Sequence, residues 1–451
     1  MEIDLHNEKP RTIQDICEIF WDLENNLNLL DANIQNIKFW QIIRFKTYRY
    51  VSELTKLQEK AHSELKSIDK LKKVGSFLKN SFINNPFFKK NQFDVIVFSH
   101  PRSKLVDGEY IDIYTEYFLD SLNKDNIKFL ELESAYLGEH IRKMNAYKSY
   151  TDFIVFCTNI FKKITTIRFT KEEDKLIFDI NKYLSDCFDT KVDITDILID
   201  SIKVFKLKYY FYTKLLKKLS PKVVYIVVSY GSADIVKAAK DLDIKVVELQ
   251  HGIFSEFHLG YSYPNRTKKL DFFPGEFLVW SEYWKDLLKL PIDNDNIKIK
   301  PFEFLEINKQ KYKDIKKLDQ IVVLSQGNVG NTIARLVLKN IKLFKDLKIV
   351  YKLHPGEYDR YKNYNDLTKL IKNYKNIEVV EDVNLHKLLA SSKYQLGINS
   401  TALLEGVEFG CKSILLDTSG IEYMTKFIVF HKLIKKNDLF LDQKTAEDLN
   451  L

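Results

Sequence analysis

An α/β fold of two successive sheets facing a cleft, preceded by a helical extension, is what the sequence predicts. Three observations carry this. After Pro86 the apolar spacing changes from three and four residues to short apolar runs separated by helix-length stretches. Val223–Ser229 (VVYIVVS), the amphipathic Ala233–Leu242 and Lys245–Leu249 make a strand–helix–strand unit of a parallel sheet. A second series of the same rhythm starts near Phe277, and 451 residues with 45% apolar content suffice for more than one core, because single cores stop growing near roughly 250 residues.

In chain order, Asp15–Leu30 and Ile37–Leu78 carry helical apolar spacing and predict a hairpin or cap, loosening at Val74-Gly75 and Asn84-Asn85-Pro86 into a linker. Strands are expected at Phe93–Phe98, Ile127–Leu132, Phe153–Phe156, Val223–Ser229 and Lys245–Leu249. The second series comprises Phe277–Trp280, Ile297–Ile299, Ile321–Leu324, Lys348–Lys352, Ile377–Val380, Gln395–Ile398, Ser413–Leu416 and Phe427–Phe430. Helices fill the intervals at Thr332–Phe344, Tyr364–Tyr374, Asn384–Ser391 and Thr401–Phe409, and Ala446 onward forms a short helix returning toward the first domain. The expected domains are 1–88 (helical extension), 89–275 (first, acceptor-side), 276–430 (second, donor-side) and 431–451 (tail).

Composition excludes a disordered chain, a collagen repeat and a disulfide scaffold; Cys17, Cys157, Cys187 and Cys411 lie far apart. No apolar run approaches the ~20 residues that cross a bilayer, and the start lacks a signal peptide, so a cytoplasmic location is expected. A net charge of +8 is spread along the chain without a nucleic-acid-binding module. Phe77–Lys90 and Val204–Lys222 do mix Lys with aromatics. Either could rest on an anionic membrane, giving peripheral association with the inner face of the cell membrane, or simply be a helix with a snorkelling Lys edge.

The chemistry concentrates at strand ends. In VYKLHPGE, His354 ends a strand and Pro355-Gly356 turn the chain, so the imidazole can donate to a phosphate or to a leaving oxygen; Lys352 shares its face. The plain alternative is a loop His with a structural bond. In LGINSTALLEGVEFG, Ser400 or Thr401 begins a helix whose free N–H groups can cradle phosphate, and Glu405, one turn on, can accept ribose hydroxyls. The alternative is an ordinary cap and a surface acid. Gln326-Gly327 and Gly330, in QGNVGN, allow close backbone approach to a ligand, although neither a Walker motif nor GxGxxG is present; the alternative is a tight strand-to-helix turn.

From the first sheet, His251-Gly252 (ELQHGIF) ends a strand and is a candidate for sugar or diphosphate contact or base help, with His258, Tyr261 and Tyr263 lining the same mouth. In SHPRSKLVDGEYID, Asp107, Glu109 and Asp112 follow His100, Arg102 and Lys104; Asp107 is the preferred general base and Glu109 the reserve, and a solvated loop of mixed charge is the equal alternative. No HExxH, EF-hand spacing or GxSxG elbow occurs, so a metal cage or covalent hydrolase is not expected.

HG after a first-domain strand, KLHP in the second domain and a Ser/Thr-capped helix with Glu resemble bacterial GT-B glycosyltransferases. The nearest resemblance is to surface-polysaccharide enzymes: capsule polysialyltransferases, Kdo transferases and teichoic acid polymerases. A more distant one is to the second domain of UDP-GlcNAc 2-epimerases. The resemblance implies two Rossmann-like domains and a donor phosphate held by His354-Pro355, Ser400 and Thr401. Asp107-Gly108 matches only the second acid and glycine of the transferase (D/E)(D/E)G base motif.

It further implies metal-independent, inverting transfer of a sugar from a CMP- or UDP-sugar to a hydroxyl of a growing capsule or lipopolysaccharide glycan, with no cofactor beyond the nucleotide-sugar co-substrate. The glycan or glycolipid acceptor would be the second partner. Three alternatives stand beside it: a CDP-polyol phosphotransferase, a nucleotide-sugar 2-epimerase or hydrolase, and a non-catalytic two-lobed scaffold.

Overall fold

A computed structural model describes residues 12–55, 75, 77–101, 103–136, 138–265, 269–327 and 329–451. Arg102 and the helical pattern over 56–74 lie outside the described residues. The strands are β1 Val95–Phe98, β2 Lys104–Val106, β3 Glu109–Ile111, β4 Phe129–Glu133, β5 Lys148–Tyr150, β6 Val223–Ile226, β7 Lys245–Leu249, β8 Glu276–Val279 and β9 Ile297–Ile299. They continue with β10 Leu318–Leu324, β11 Lys348–Lys352, β12 Ile377–Val380, β13 Ser392–Gly397, β14 Lys412–Leu416, β15 Ile434–Lys436 and β16 Leu439–Leu441.

Two seven-stranded sheets form two Rossmann-like α/β lobes. The first runs β5-β4-β1-β6-β7-β8-β9 and is parallel throughout. The second runs β12-β11-β10-β13-β14-β16-β15, with the last two strands antiparallel. In each, the order reverses beside the opening strand, between β1 and β6 and between β10 and β13. The loops leaving such strands part to opposite faces and open a crevice at the carboxyl edge, where ligands of open α/β sheets bind. The central strands are buried on both faces, Ile96, Val97, Ile321 and Val322 completely, as helix-covered parallel sheets require.

Four expectations change. Phe277–Trp280 and Ile297–Ile299 were read into the second domain; as β8 and β9 they complete the first sheet, so that lobe extends past 276. Phe153–Phe156 lies inside the helix Asp152–Ile164 and Phe427–Phe430 inside Thr425–Phe430. A four-residue apolar run is equally compatible with strand and buried helix, and the flanking residues decide. The tail does not return to the first lobe: β15 and β16 extend the second sheet, and Ala446 and Leu449 are buried in its core.

The N-terminal extension is built into the molecule. Helices Ile13–Asn26 and Phe39–Leu54 bury Ile16, Phe20, Leu23, Trp40 and Ile43 in one cluster with Ile180, Leu198, Ile202, Leu259 and Phe272 of the first lobe. Within it, the guanidinium of Arg44 is fully enclosed: Nε donates to Glu24 Oε1 at 2.6 Å and Nη2 to Oε2 at 3.0 Å, a further bond reaches the Leu259 carbonyl, and Tyr263 stacks at 4.3 Å. Removing either charge would leave the other buried and unpaired. Tyr48 reaches the second lobe through a 2.7 Å hydroxyl pair with Tyr423.

Candidate active site

Three strand-end loops of the second lobe meet at its order reversal. After β11, Gly356 N donates to His354 Nδ1 at 3.0 Å. Because Nδ1 accepts, the neutral imidazole carries its proton on Nε2, and His354 is exposed. The loop is set by Glu357, fully buried, which accepts from His354 N at 2.8 Å and from Ser325 Oγ at 2.9 Å. The glycines of QGNVGN explain themselves here. A Cβ on Gly330 would come within 1.7 Å of Glu357 Oε1, and one on Gly327 within 2.9 Å of His354 Nδ1. They make room for the HPGE loop, which is a structural duty of the kind the sequence reading set beside close approach to a ligand.

After β10, Gln326 Nε2 donates to Asn399 Oδ1 at 2.5 Å, and Asn399 Nδ2 donates to the Gly420 carbonyl at 2.8 Å. This ties Gln326-Gly327 to the turn before the helix Thr401–Glu408. Ser400 is the N-cap of that helix with extended backbone, yet its hydroxyl makes no cap bond and is buried without a protein partner; Ser419 Oγ, beside Gly420, is in the same condition. A buried hydroxyl left unmatched is costly unless something else supplies the bond. Two of them around a helix start that no side chain caps suit phosphate oxygens.

Glu405 is nearly buried, with Oε2 2.7 Å from Nε2 of the fully buried His386. That bond orients the carboxylate on the helix carrying Thr401. Lys352 turns back on its own loop, donating to the Leu353 carbonyl at 2.7 Å, and burial pulls its ammonium down to about 8.

From the first lobe, the loop after β7 places His251 among aromatic rings: Tyr261 at 5.9 Å, His100 at 6.2 Å with near-parallel planes, and Tyr114 and Tyr230 at 6.3 Å. His100 follows β1 and Tyr230 follows β6, so this group surrounds the first lobe's own order reversal. The two lobes meet here. The position a Cβ would take on Gly252 lies 3.6 Å from Thr401 Oγ1. His251-Gly252 therefore faces the start of the Thr401–Glu408 helix.

Beneath His100 lies a set of buried charges. Asp112 Oδ2 accepts from His100 N at 2.7 Å and Thr115 Oγ1 at 2.6 Å, and Oδ1 accepts from Tyr114 N at 3.0 Å. Burial pushes its carboxyl up to about 6 against the pull of Arg142. Arg142 donates to Glu131 at 2.6 Å and to Ser99 Oγ at 2.7 Å, and lies 2.8 Å from Glu133. His140 bridges Glu133 and Asp152 at 2.7 and 2.9 Å; these two bonds outweigh burial and hold its pKa above the ordinary value.

Asp107 and Glu109 sit elsewhere. Asp107-Gly108 is the turn of the β2–β3 hairpin, with φ of +49° and +87°, and Lys311 grips the exposed carboxylate at 2.8 and 2.9 Å. Glu109 is exposed and paired with Lys143. His258 is half-buried with its ring stacked on Phe45 at 5.3 Å, and burial drives the His258 pKa down to about 4; Tyr261 is entirely enclosed and does not line the mouth. The sequence reading missed Ser419, Glu357 and His386. Only Glu357 had a signal, since HPGE offers an acid three residues after the His, as a capping box does.

No protein-family model matches the chain. It is 25% identical over 382 residues to an uncharacterized protein of Methanocaldococcus jannaschii, covering 79% of this chain and 64% of the relative, so it spans less than two thirds of that protein's length. Among solved structures it is similar to UDP-GlcNAc 2-epimerase from Methanocaldococcus jannaschii, with TM-score 0.45, 15% identity and coverage of 79% of this chain and 90% of that one. It is also similar to the Neisseria meningitidis UDP-GlcNAc 2-epimerase bound to UDP-GlcNAc, with TM-score 0.43, 14% identity and coverage of 75% and 85%.

Proposed function

We propose that the protein is an enzyme acting on a nucleotide-activated sugar. The nucleotide phosphate would rest on the start of the Thr401–Glu408 helix, with the sugar directed at His251 and His100. One observation carries this reading: the order reversals of both sheets converge, so that Gly252 of one lobe abuts the Thr401 hydroxyl of the other. Ser400 and the helix N–H groups bind phosphate oxygens, and His354 Nε2–H donates to the oxygen that gains charge when the glycosidic bond breaks. Glu405, oriented by His386, accepts ribose hydroxyls.

The reaction we favour is on the sugar itself, an epimerisation or hydrolysis of the nucleotide sugar, with the two imidazoles moving the proton. Both carboxylates expected to activate an acceptor hydroxyl are held in exposed ion pairs, whereas His251 borders the donor seat. UDP-GlcNAc epimerisation is one member of this class. Transfer to a glycan hydroxyl is the second reading, favoured by a recess beside His251 walled by Tyr114, Tyr117, Trp280 and Phe302, whose rings can stack a second sugar.

Thermal-shift titration with CMP, CDP, UDP, GDP and ADP identifies the nucleotide. Proton NMR of the matching nucleotide sugar with enzyme alone then reads the reaction. A new sugar isomer or free nucleotide without acceptor supports the favoured reading. Turnover that starts only on adding glycan supports transfer. No stabilisation by any nucleotide rejects both.

A further inference from the structure

We propose that the face of the first lobe formed by residues 77–92, the helix Asp152–Ile164 and the second half of the helix Thr195–Leu219 docks on an anionic lipid bilayer. This stands independently of the catalytic reading. The three segments are contiguous: Phe77 meets Phe156 at 6.5 Å, Phe87 meets Phe153 at 5.8 Å, and Phe153 meets Phe211 at 6.3 Å. Large apolar side chains stand out from them, with Ile164 75%, Ile83 65% and Phe88 64% exposed, and Phe82, Phe161 and Tyr210 beside them. An apolar side chain left in water at one position is ordinary; a group of this size on adjoining elements marks a contact surface.

The charge pattern identifies the partner. Residues 77–92, 153–164 and 201–222 contain no Asp or Glu, in a chain with 62 acidic residues. The same segments carry Lys79, Lys90, Lys163, Lys214, Lys217 and Lys218, all exposed. Lys79 precedes Phe82 and Ile83 by three and four residues, which places it on their side of a helix. The adjacent Asp200 is taken up by Lys162 at 2.9 Å.

Protein interfaces favour Arg and are depleted in Lys, and no Arg occurs in these three segments. A nucleic acid would be met by basic and stacking groups without a set of protruding Ile and Phe. Apolar tips that enter the acyl boundary, accompanied by exposed Lys for the headgroups, match an anionic bilayer surface. Among the described residues no helix is long and apolar enough to cross a membrane, so the attachment is peripheral.

The test is flotation of the full-length protein with vesicles of phosphatidylcholine alone or mixed with phosphatidylglycerol. Binding is expected only to the mixed vesicles and to fall with added salt. Each Lys near an anionic surface contributes roughly fivefold in affinity, so the double variant Lys163→Glu, Lys217→Glu should lose roughly 25-fold or more. Ile83→Ser with Ile164→Ser should also release the protein; all four positions are at the surface, and unchanged melting confirms intact folds. Equal binding to both vesicle types, none to either, wild-type binding by both variants, or tighter binding to an oligonucleotide than to the mixed vesicles would each overturn the proposal.

Discussion

Replacing Glu248 with Gln should flatten the pH dependence of stability. The Glu248 carboxyl is fully buried at the end of β7, where it accepts from Ser229 N at 3.1 Å and from the Tyr261 hydroxyl, while Oε2 has no partner. Burial pushes it from 4.5 to about 8. A carboxyl whose folded value lies above its unfolded one holds its proton longer when folded. Its contribution is therefore complete below about pH 4.5 and is lost as pH rises to about 8.

At about 1.4 kcal/mol per pH unit, the loss over that interval is on the order of 5 kcal/mol. Gln fills the same space without a proton to lose. Denaturant unfolding of both proteins from pH 5 to 9, in steps of roughly one unit, should show wild type falling relative to Glu248→Gln by up to about 1.4 kcal/mol per unit and levelling above pH 8. Parallel profiles would refute the claim that this carboxyl is neutral in the folded protein.

Three further outcomes follow from the site. Ser400→Ala should weaken nucleotide binding by roughly tenfold, the worth of one hydrogen bond, while melting without nucleotide holds or rises because the buried hydroxyl caps nothing; calorimetry and a thermal scan read both. Gly330→Ala forces a methyl to 1.7 Å from Glu357 Oε1, so it should destabilise by about 2 kcal/mol or more and misplace His354, visible as a lower melting temperature with weaker nucleotide binding. Asp107→Asn should leave turnover within about threefold of wild type, since it disturbs one exposed ion pair; a hundredfold loss would restore Asp107 as the base.

Strand positions were the most legible part of the chain. Lys245–Leu249, Ile297–Ile299, Lys348–Lys352 and Ile377–Val380 were read with their observed limits, because turns and polar residues bound each apolar run. Sheet membership was not legible for Phe277 and Ile297, since the pairing of β8 with β7, and of β9 with β8, leaves no local mark in the sequence. Asp107-Gly108 misled in the opposite way: DG between two short alternating runs is a hairpin turn signal, and the positive φ at both residues is why those residue types stand there. His354 and Ser400 were legible because strand ends and helix starts are local features. The Glu131, Glu133, Arg142 and His140 set was not, although FLELE puts two acids into a strand buried along its whole length.

The contact between Tyr48 and Tyr423 spans 375 residues, and that from Cys17 to the Phe257 carbonyl spans 240. Helices Ile13–Asn26 and Phe39–Leu54 thus find some packing partners, Ile180, Leu198 and Ile202, in the first half of the chain and the others, Leu259, Phe272 and Tyr423, well beyond it. Phe20 and Trp40 meet each other at 5.9 Å, but their cluster closes only when those later residues join it. Long-separation contacts slow folding, so this cluster is the part of the molecule expected to consolidate last and to be the most exposed to wrong association on the way.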